Sequence, residues 1–404
     1  MTKTKVAIIG TAGVPARYGG FETLAHHLVD QLHNDYDLTV YCSSSYYHRD
    51  EQVKQFNGAR LVYLPLNANG LQSIFYDIIS IFHALRYADK LLILGVSGCI
   101  LLPFIKLFTN KKIIVNIDGM EWRRQKWSYP VRKFLKLSEY CAVKFSDADI
   151  TDNAAIQRYT AMHYKTLSHM IAYGADHCSA EVISPSNVSR YPFLSSPYAF
   201  KVCRIEPENN IHMVLEAFAN FSAFPLVMVG NWSNSEYSRG LKKKYSSNSN
   251  LILLDPIYDQ RELNILRSNC TVYIHGHSAG GTNPSLVEAM YLGLPVFAYD
   301  VNFNRATTEG KARYFHSESE LLSMLQQVKP EEREALGREM KTIANRRYTW
   351  PAIAQRYRFV LNTAFEKRTV TPRAAFIPAQ TALRLGVRHL QQSNVFEERK
   401  ITQA

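Results

Sequence analysis

The strongest constraint on the fold is a regular alternation of short apolar runs with longer stretches that carry apolar residues at helical spacing. The first run, Val6–Ile9, ends at Gly10. Short continuous apolar runs are typical of central strands in a parallel sheet. The later runs of this series are Leu38–Cys42, Leu61–Leu64, Leu91–Leu94, Ile113–Ile117 and Asp149–Thr151. The pattern predicts a parallel sheet covered by helices on both faces.

The alternation lapses between Tyr173 and Tyr191, where the sequence is rich in serine, and then resumes. The second series ends in helical stretches from Ser317 to about Ala344. Its strand-like runs are Tyr198–Val202, Leu226–Val229, Leu251–Leu254, Val272–Ile274 and Pro295–Ala298. We therefore predict an α/β protein with two doubly wound, Rossmann-like domains, as suits a chain of 404 residues.

The predicted domains are residues 1–180 at the N-terminus and residues 181–349 at the C-terminus. Residues 350–404 are predicted to form a helix that returns toward the N-terminal domain, followed by a basic tail. The helix is expected at about Ile353–Phe365. The tail carries Arg373, Arg384, Arg388 and Arg399 among apolar residues, and we expect it to dock on a domain or to be disordered.

Several features favour a cytoplasmic protein. The N-terminus runs directly into a strand-like segment, without the pattern of a signal peptide. The six cysteines show no CxxC and no paired spacing, so neither a zinc site nor a disulfide framework is indicated. The longest apolar stretch, Leu91–Phe108, approaches the length of a membrane span, but Gly95 and Gly98 interrupt it. We expect a strand, a turn and a helix there.

The net charge of +12 indicates an anionic partner, such as a nucleotide phosphate, nucleic acid or an acidic membrane. One segment, Trp122–Lys136, mixes basic and aromatic residues. Nucleic acid would explain it through phosphate contacts and stacking. An anionic bilayer with a lipid-diphosphate ligand explains it equally well, and we favour this because a predicted ligand edge of the sheet is close in sequence. We therefore expect membrane contact and no nucleic acid.

A second informative segment, His275–Glu288, reads HGHSAGGTNPSLVE and follows a predicted strand. Asn283 is suited to cap a helix and Pro284 to occupy its first position. The free amides of the predicted helix favour an anion such as phosphate. Gly280 and Gly281, followed by Thr282, precede the helix and let the backbone approach that anion. Glu288 follows on the same helix and is suited to accept hydrogen bonds from a sugar hydroxyl. The alternative is an ordinary strand-to-helix connection in which Glu288 is a solvated residue.

Other chemistries find less support. The segment KVAIIGTAGVPA resembles a dinucleotide-binding fingerprint, but that site needs an acidic residue after the second strand, where Ser43–Ser45 stand. No Walker loop and no GxSxG elbow is present. His275 and His277 are two residues apart and could bind a metal. The favoured interpretation is that they form a polar lining of the cleft.

Taken together, these segments resemble a known family. The run GGFE near the start, CRIEPENN after the first strand of the second domain and GGTNPSLVEAMYLGLPV near its end are similar to GT-B glycosyltransferases of family 4. More narrowly, NIDGMEWRRQKW, IAYGAD and HSAGGTNPSLVEAM resemble bacterial rhamnosyltransferases of polysaccharide assembly. The resemblance covers the chain to about residue 365. It implies that a nucleotide-sugar donor binds the C-terminal domain and an acceptor the N-terminal domain, with reaction in the cleft between them.

The resemblance also implies roles for individual residues. Arg204 faces the donor diphosphate and stabilises the leaving group, and Glu288 holds the nucleotide ribose. Gly19 and Gly20 form a loop that approaches the diphosphate or the acceptor. Without the resemblance, Arg204 is a surface arginine at a strand end and the glycines are a turn before a helix.

Two positions depart from the family pattern. Gly280 stands where the first glutamate of a paired motif contacts the donor hexose, and Asn209 stands where a lysine follows the arginine. A site without that carboxylate is compatible with a less polar deoxysugar such as rhamnose.

Acid–base chemistry is assigned to the segment that follows the Ile113–Ile117 strand. Asp118 and Glu121 are predicted to orient or deprotonate the acceptor hydroxyl. As an alternative, Glu121 pairs with Arg123 or Arg124. The resemblance implies retention of anomeric configuration, assisted by a phosphate oxygen, and neither a metal nor another cofactor is expected.

We therefore expect a transferase that moves L-rhamnose from dTDP-L-rhamnose onto a lipid-linked saccharide at the inner face of the cytoplasmic membrane, in O-antigen or capsule synthesis. The alternatives are another hexose donor (UDP-glucose, UDP-galactose or GDP-mannose) and a GT-B sugar-nucleotide epimerase that needs no acceptor.

Overall fold

The structure is a computed structural model and describes residues 2–17, 19–124 and 127–363. These residues form two compact units. The first contains the chain up to Tyr173 together with the helix that begins at Trp350, and the second is Gly174–Thr349. The predicted basic tail lies outside the described residues, as do two positions of the basic and aromatic segment, Gln125 and Lys126.

The first unit contains an eight-stranded sheet in the order β3-β4-β2-β1-β5-β6-β7-β8. All neighbouring strands pair in parallel except β3 and β4. The strands are β1 Thr4–Ile9, β2 Tyr36–Ser43, β3 Gln55–Phe56, β4 Ala59–Leu64, β5 Lys90–Leu94, β6 Lys112–Asn116, β7 Ala148–Thr151 and β8 His169–Met170. The helices up to Tyr173 are α1 Gly20–Leu32, α2 Gln72–Ala84, α3 Leu102–Phe108, α4 Tyr129–Phe145 and α5 Ala154–Tyr164.

The expectation of a wholly parallel first sheet was wrong at one edge. There β3 pairs antiparallel with β4 through Asn57 and Gly58, which have φ angles of 43° and 82°. Two successive positive φ angles are the signature of a type I′ turn, for which Asn-Gly is the preferred pair. Strand β3 has only two residues, so it shows no apolar run of the kind on which the prediction rested.

The second unit contains a wholly parallel sheet of six strands in the order β11-β10-β9-β12-β13-β14. Its strands are β9 Ala199–Val202, β10 Leu226–Val229, β11 Leu251–Leu254, β12 Val272–His275, β13 Val296–Tyr299 and β14 Arg313–Phe315. Its helices are α6 Pro185–Arg190, α7 Ile211–Ala219, α8 Glu236–Tyr245, α9 Gln260–Ser268, α10 Pro284–Tyr291, α11 Asn302–Thr307, α12 Glu318–Gln327 and α13 Pro330–Arg347. The predicted α/β class with two Rossmann-like sheets is confirmed.

The last described helix, α14 Trp350–Thr363, packs on the first sheet's unit. The Tyr357 hydroxyl accepts a hydrogen bond from the Asn116 side chain at 2.8 Å, and the Tyr36 hydroxyl donates one to Asn362 at 2.8 Å. Arg358 forms an ion pair with Asp35 at 2.7 Å. The first contact places Tyr357 beside the carboxyl end of β6, where a predicted site residue follows, and the other two hold the helix at the start of β2.

The apolar stretch that approached the length of a membrane span folds as predicted. Its first part is strand β5, its last part is helix α3, and a turn joins the two. Among the described residues, the longest and most apolar helices fall short of what a bilayer crossing requires.

Candidate functional site

Each sheet has one point at which the order of its strands reverses. In the second sheet the chain runs from β9 outward to β11 and then returns to place β12 on the other side of β9. The loops after β9 and β12 therefore leave the sheet in opposite directions and open a crevice at its carboxyl edge, which is where open α/β sheets bind ligands. Arg204 lies on the first of these loops and Gly280 on the second.

Direct hydrogen bonds join these two loops. The Asn210 side chain donates to the carbonyl of Gly276 at 2.9 Å. The amide of Ser278 donates to the carbonyl of Glu208 at 2.8 Å, and its hydroxyl donates to the same oxygen at 2.9 Å. A Cβ at Gly276 would overlap the carbonyl of Asn209, so only glycine permits this approach. The structure thus brings together the two segments that the sequence analysis assigned to the donor diphosphate.

The predicted helix start is confirmed. The Asn283 side chain accepts hydrogen bonds from the amide of Ser285 at 3.0 Å and from its hydroxyl at 2.7 Å, and Pro284 is the first residue of α10. Gly280 has a φ of 111° with open space where a Cβ would lie, while Thr282 is buried. This arrangement presents the amino end of a helix beside an open glycine turn, which favours an anion.

Arg204 is half-exposed at the end of β9. Its nearest carboxylate is Glu206, at 4.0 Å from the guanidinium. At that distance, and in contact with solvent, the pair is weak, so the guanidinium is available to a diphosphate. The main-chain carbonyl of Arg204 accepts a hydrogen bond from the Asn209 side chain at 2.6 Å.

Asn209 was predicted to contact the donor, but the structure gives its side chain another use. It is buried, and its amide holds the carbonyl of Arg204. The residue therefore shapes the arginine loop from within. Its direct contact with the donor stays a prediction.

Glu288 is buried within a cluster that the sequence analysis did not anticipate. One carboxylate oxygen is 2.5 Å from the guanidinium of Arg267 on α9, and the other is 3.3 Å from the imidazole of His177. Burial by itself would raise the pKa of Glu288, but Arg267 and His177 outweigh it and hold the pKa below its usual value. Burial would likewise lower the pKa of His177, yet contacts with Cys178 and Glu288 raise it to about 10. The carboxylate is therefore a fixed negative charge under the crevice.

Lys201 is a second group that the sequence analysis missed. Its ammonium is fully buried near the carboxyl end of β9, close to Gly276, and no hydrogen-bond partner for it occurs among the described residues. Burial lowers the pKa of Lys201. Burial and repulsion by Lys201 together hold the pKa of His275 well below its usual value, so this imidazole is neutral. His275 stacks on His277 with ring centroids 4.3 Å apart.

Within the described parts of the chain, two groups of side chains could supply metal ligands. One is His177, Cys178 and Glu288, and the other is His26, His27 and Asp30 on α1. In the first group the buried guanidinium of Arg267 already neutralises Glu288 and would repel a cation. The predicted absence of a metal stays a prediction.

In the first unit, Gly19 and Gly20 begin helix α1. Gly19 has a φ of 123°, and a Cβ there would overlap the carboxylate of Glu22. That carboxylate accepts a hydrogen bond from the amide of Ala12 at 2.7 Å and one from the hydroxyl of Thr11 at 3.3 Å. Glu22 thus ties the helix start to the loop after β1. The reversal of strand order in this sheet lies between β1 and β5, so the loop leaves from its ligand-binding edge.

Asp118 and Glu121 differ sharply in their surroundings. Asp118 adopts a left-handed conformation with φ 57°, and its amide donates to the Asn116 side chain at 3.0 Å. Glu121 pairs with Arg124 at 2.8 Å and accepts a hydrogen bond from the indole of Trp127 at 3.0 Å. Both oxygens of Glu121 are thus engaged, which favours the pairing alternative for Glu121. The catalytic roles of Asp118 and Glu121 stay predictions.

Comparison with known families divides the chain as the two sheets do. Residues 3–176 match a family described as a domain of unknown function, DUF1972, and residues 191–319 match the family described as glycosyl transferases group 1. No curated protein matches the chain in sequence.

Several solved structures have a similar fold. Sucrose-phosphate synthase from Thermosynechococcus elongatus is 15% identical with a TM-score of 0.74, over 90% of this chain and 99% of that one. HepE from Anabaena in complex with UDP-glucose is 14% identical with a TM-score of 0.68, over 89% and 99%. A trehalose 6-phosphate synthase from Burkholderia multivorans is 11% identical with a TM-score of 0.67, over 94% and 100%. The predicted likeness to GT-B glycosyltransferases is confirmed, and the narrower likeness to family 4 and to rhamnosyltransferases stays a prediction.

The buried cluster around Glu288 yields a stability prediction. Glu288→Gln leaves the guanidinium of Arg267 buried without its counter-ion, so the free energy of unfolding should fall by about 3–5 kcal/mol in urea titrations. Asp300→Asn, which breaks the more exposed pair with Arg305, should cost at most about 1 kcal/mol. Because the folded-state pKa of Glu288 is lowered, the loss should be present above pH 4.5 and shrink as the pH falls through the folded value. Equal unfolding midpoints for the two variants would contradict this role.

The buried ammonium of Lys201 yields a second prediction. Lys201→Met removes the cost of a buried cation, so the free energy of unfolding should rise by about 1–3 kcal/mol. The folded-state pKa is lowered from 10.5, so the gain should be absent above pH 10.5 and grow as the pH falls below it. The exposed substitution Lys243→Met should change stability by less than about 0.5 kcal/mol at every pH. A gain that does not vary with pH would show that Lys201 carries no burial cost.

Proposed function

We propose that the chain is a glycosyltransferase of the GT-B fold that transfers L-rhamnose from dTDP-L-rhamnose; the match of residues 191–319 to the glycosyl transferases group 1 family supports the transferase activity. The acceptor in this proposal is a lipid-linked saccharide at the inner face of the cytoplasmic membrane. The product belongs to a surface polysaccharide such as O-antigen or capsule.

The observation that carries the proposal is the joined pair of loops at the strand reversal of the second sheet. The half-exposed guanidinium of Arg204 and the positive end of the α10 dipole, beside the open turn at Gly280, both attract phosphate oxygens. As the bond from the sugar to the diphosphate breaks, negative charge grows on the leaving phosphate. A fixed guanidinium and a fixed helix dipole stabilise that charge without reorganisation.

The choice of a deoxysugar is supported by Gly280. Open space surrounds the position where its Cβ would lie, so no carboxylate at this residue reaches the sugar. A donor with fewer hydroxyls loses less by the absence of that contact, since an unpaired hydroxyl of the sugar costs binding energy.

Another hexose donor is the second candidate, and one observation favours it. The structure of HepE from Anabaena, which has a similar fold, is in complex with UDP-glucose. Under this alternative, Arg204 and the start of α10 keep their roles, and only the contacts to the sugar and the base differ.

Asp118 is the residue proposed to orient the acceptor hydroxyl or to take its proton. Its carboxylate is partly exposed at the carboxyl end of β6. In the proposed retaining reaction a phosphate oxygen of the donor assists deprotonation, so a single carboxylate suffices.

The donor is tested by incubating the protein with dTDP-L-rhamnose, UDP-glucose, UDP-galactose or GDP-mannose and a lipid-diphosphate-linked sugar. Mass spectrometry should find the acceptor heavier by one deoxyhexose with dTDP-L-rhamnose only. A mass gain of one hexose with another donor would select the second candidate. Conversion of a nucleotide sugar to an isomer without acceptor would instead identify an epimerase.

The role of Arg204 is tested by substitution. Arg204→Ala should lower kcat by about 100- to 1000-fold, because it removes a group that stabilises the leaving phosphate. Arg204→Lys should recover only part of this loss, since an ammonium lacks the planar fork. The matched control is Arg239→Ala, an exposed arginine of the same unit, which should turn over normally. Wild-type rates for Arg204→Ala would remove this residue from the site.

A further inference from the structure

Helix α2 of the first unit turns a continuous apolar stripe to solvent. Leu71, just before the helix, and Phe75, Ile79 and Phe82 within it follow one another at intervals of three or four residues, so they share one face. All four are exposed, and Phe75 is 62% exposed. The opposite face of α2 supplies the buried contacts, including Tyr76 and Ile81. A helix with apolar residues on both faces is expected only where the outer face has a partner of its own.

The next two helices of the chain continue this apolar surface. In α3, Phe104, Leu107 and Phe108 are exposed, the last two by 74% and 78%. In α4 the exposed large side chains are Tyr129, Leu137, Tyr140 and Phe145. We call the exposed apolar residues of α2, α3 and α4 the apolar face.

The three helices are held side by side by contacts to the segment after β5. Ser73 of α2 donates a hydrogen bond to Ser97 at 3.2 Å, and a Cβ at Gly98 would overlap Asp77 of α2. Ser138 of α4 donates to the carbonyl of Val96 at 2.5 Å. Helix α3 begins a few residues after this segment. The right-handed crossovers that place β5, β6 and β7 in order also put α2, α3 and α4 on the same side of the sheet.

The exposed charges on the three helices themselves are all of one sign. Helices α2, α3 and α4 contain only two carboxylates, Asp77 and Glu139, and both are buried. The basic residues of α4 are Arg132, Lys133, Lys136 and Lys144. The ammonium groups of Lys133 and Lys136 lie 4.6 Å and 4.7 Å from the ring centroids of Tyr129 and Trp122. Exposed aromatic and aliphatic side chains with lysines beside them, and no exposed carboxylate, match the boundary between acyl chains and anionic headgroups.

We propose that the apolar face is the surface by which this protein docks on an anionic lipid bilayer. The inference rests on the proposed function, because a lipid-linked acceptor gives the enzyme a reason to bind a bilayer, and it extends that function to a defined set of residues. The sequence alone pointed to Trp122–Lys136; the structure adds α2 and α3, which carry most of the exposed apolar area. A second copy of the chain is disfavoured, because a symmetric contact would bring together two surfaces that are both positively charged.

The proposal is tested by sedimentation with vesicles in the absence of any nucleotide sugar. Wild-type protein should bind vesicles of phosphatidylglycerol and phosphatidylethanolamine at low salt, bind phosphatidylcholine vesicles far more weakly, and be released from the anionic vesicles at high salt. The double substitution Phe75→Gln with Phe82→Gln should weaken binding by roughly tenfold or more. The pair Lys133→Gln with Lys136→Gln should weaken it by roughly tenfold and reduce the dependence on salt.

The matched controls lie away from the apolar face. Val53→Gln with Val182→Gln removes two exposed apolar side chains, the second of them 90% exposed. Lys243→Gln with Lys329→Gln removes two lysines of the second unit. Both controls should bind vesicles as the wild type does, and all four variants should keep the wild-type melting temperature because every changed side chain is exposed.

Three results would overturn the proposal. The first is unchanged vesicle binding by the Phe75 and Phe82 variant, and the second is equal binding of wild type to anionic and zwitterionic vesicles. The third is a wild-type dimer in solution that these substitutions dissociate, which would assign the face to a second copy. Vesicle binding as expected, together with no consumption of any nucleotide sugar in the separate donor assay, would instead retain the docking surface and refute the proposed transfer.

Discussion

Parallel strand pairing is the constraint on which the rest of this structure depends. Parallel neighbours require a crossover between consecutive strands, and in the second sheet every strand leads at its carboxyl edge into a helix. Where the order of strands reverses, two such loops diverge and no helix covers the gap. In the second sheet these are the loops of Arg204 and Gly280, and hydrogen bonds from Asn210 and Ser278 lock them together. The proposed phosphate site follows from topology as much as from the residues that line it.

Beneath this crevice the unit buries charges that would be costly in an ordinary core. Arg267 and Glu288 offset one another, with His177 as a third member, whereas no described residue pairs with the ammonium of Lys201. A buried pair of this kind adds little net stability but becomes strongly destabilising when one partner is removed. Departures from the rule that buried charge is paired concentrate at functional sites, and here they lie directly under the loops proposed to hold the donor. Glu288 is thus a support of the site as well as a candidate ligand.

The first unit exposes more apolar side chains on its outer helices than an ordinary doubly wound domain. Its helices α2, α3 and α4 bury one face on the sheet, as a doubly wound fold requires, and expose a second apolar face beside lysines. A nucleotide sugar is polar and needs no such surface. A lipid-linked acceptor does, because it stays in a bilayer that the enzyme must approach. The two units therefore have the properties that the proposed transfer from a soluble donor to a membrane-held acceptor requires.

The sequence by itself determined the features that depend on neighbouring residues in the chain. The apolar runs Leu226–Val229 and Leu251–Leu254 have the bounds of the strands they form, and Asn283 with Pro284 specified a helix start that the structure contains. The Asn57–Gly58 turn was also encoded locally, although the strand before it is too short for a periodic signal. Only the tertiary structure decided that Glu288 meets Arg267, that Asn209 supports the arginine loop and that Lys201 lies buried near Gly276. The contacts of Glu288 and Lys201 join residues on different elements, and their geometry depends on strand order and register, which no local pattern specifies. The contact of Asn209 with Arg204 lies within one loop, which has no periodic pattern from which to predict it.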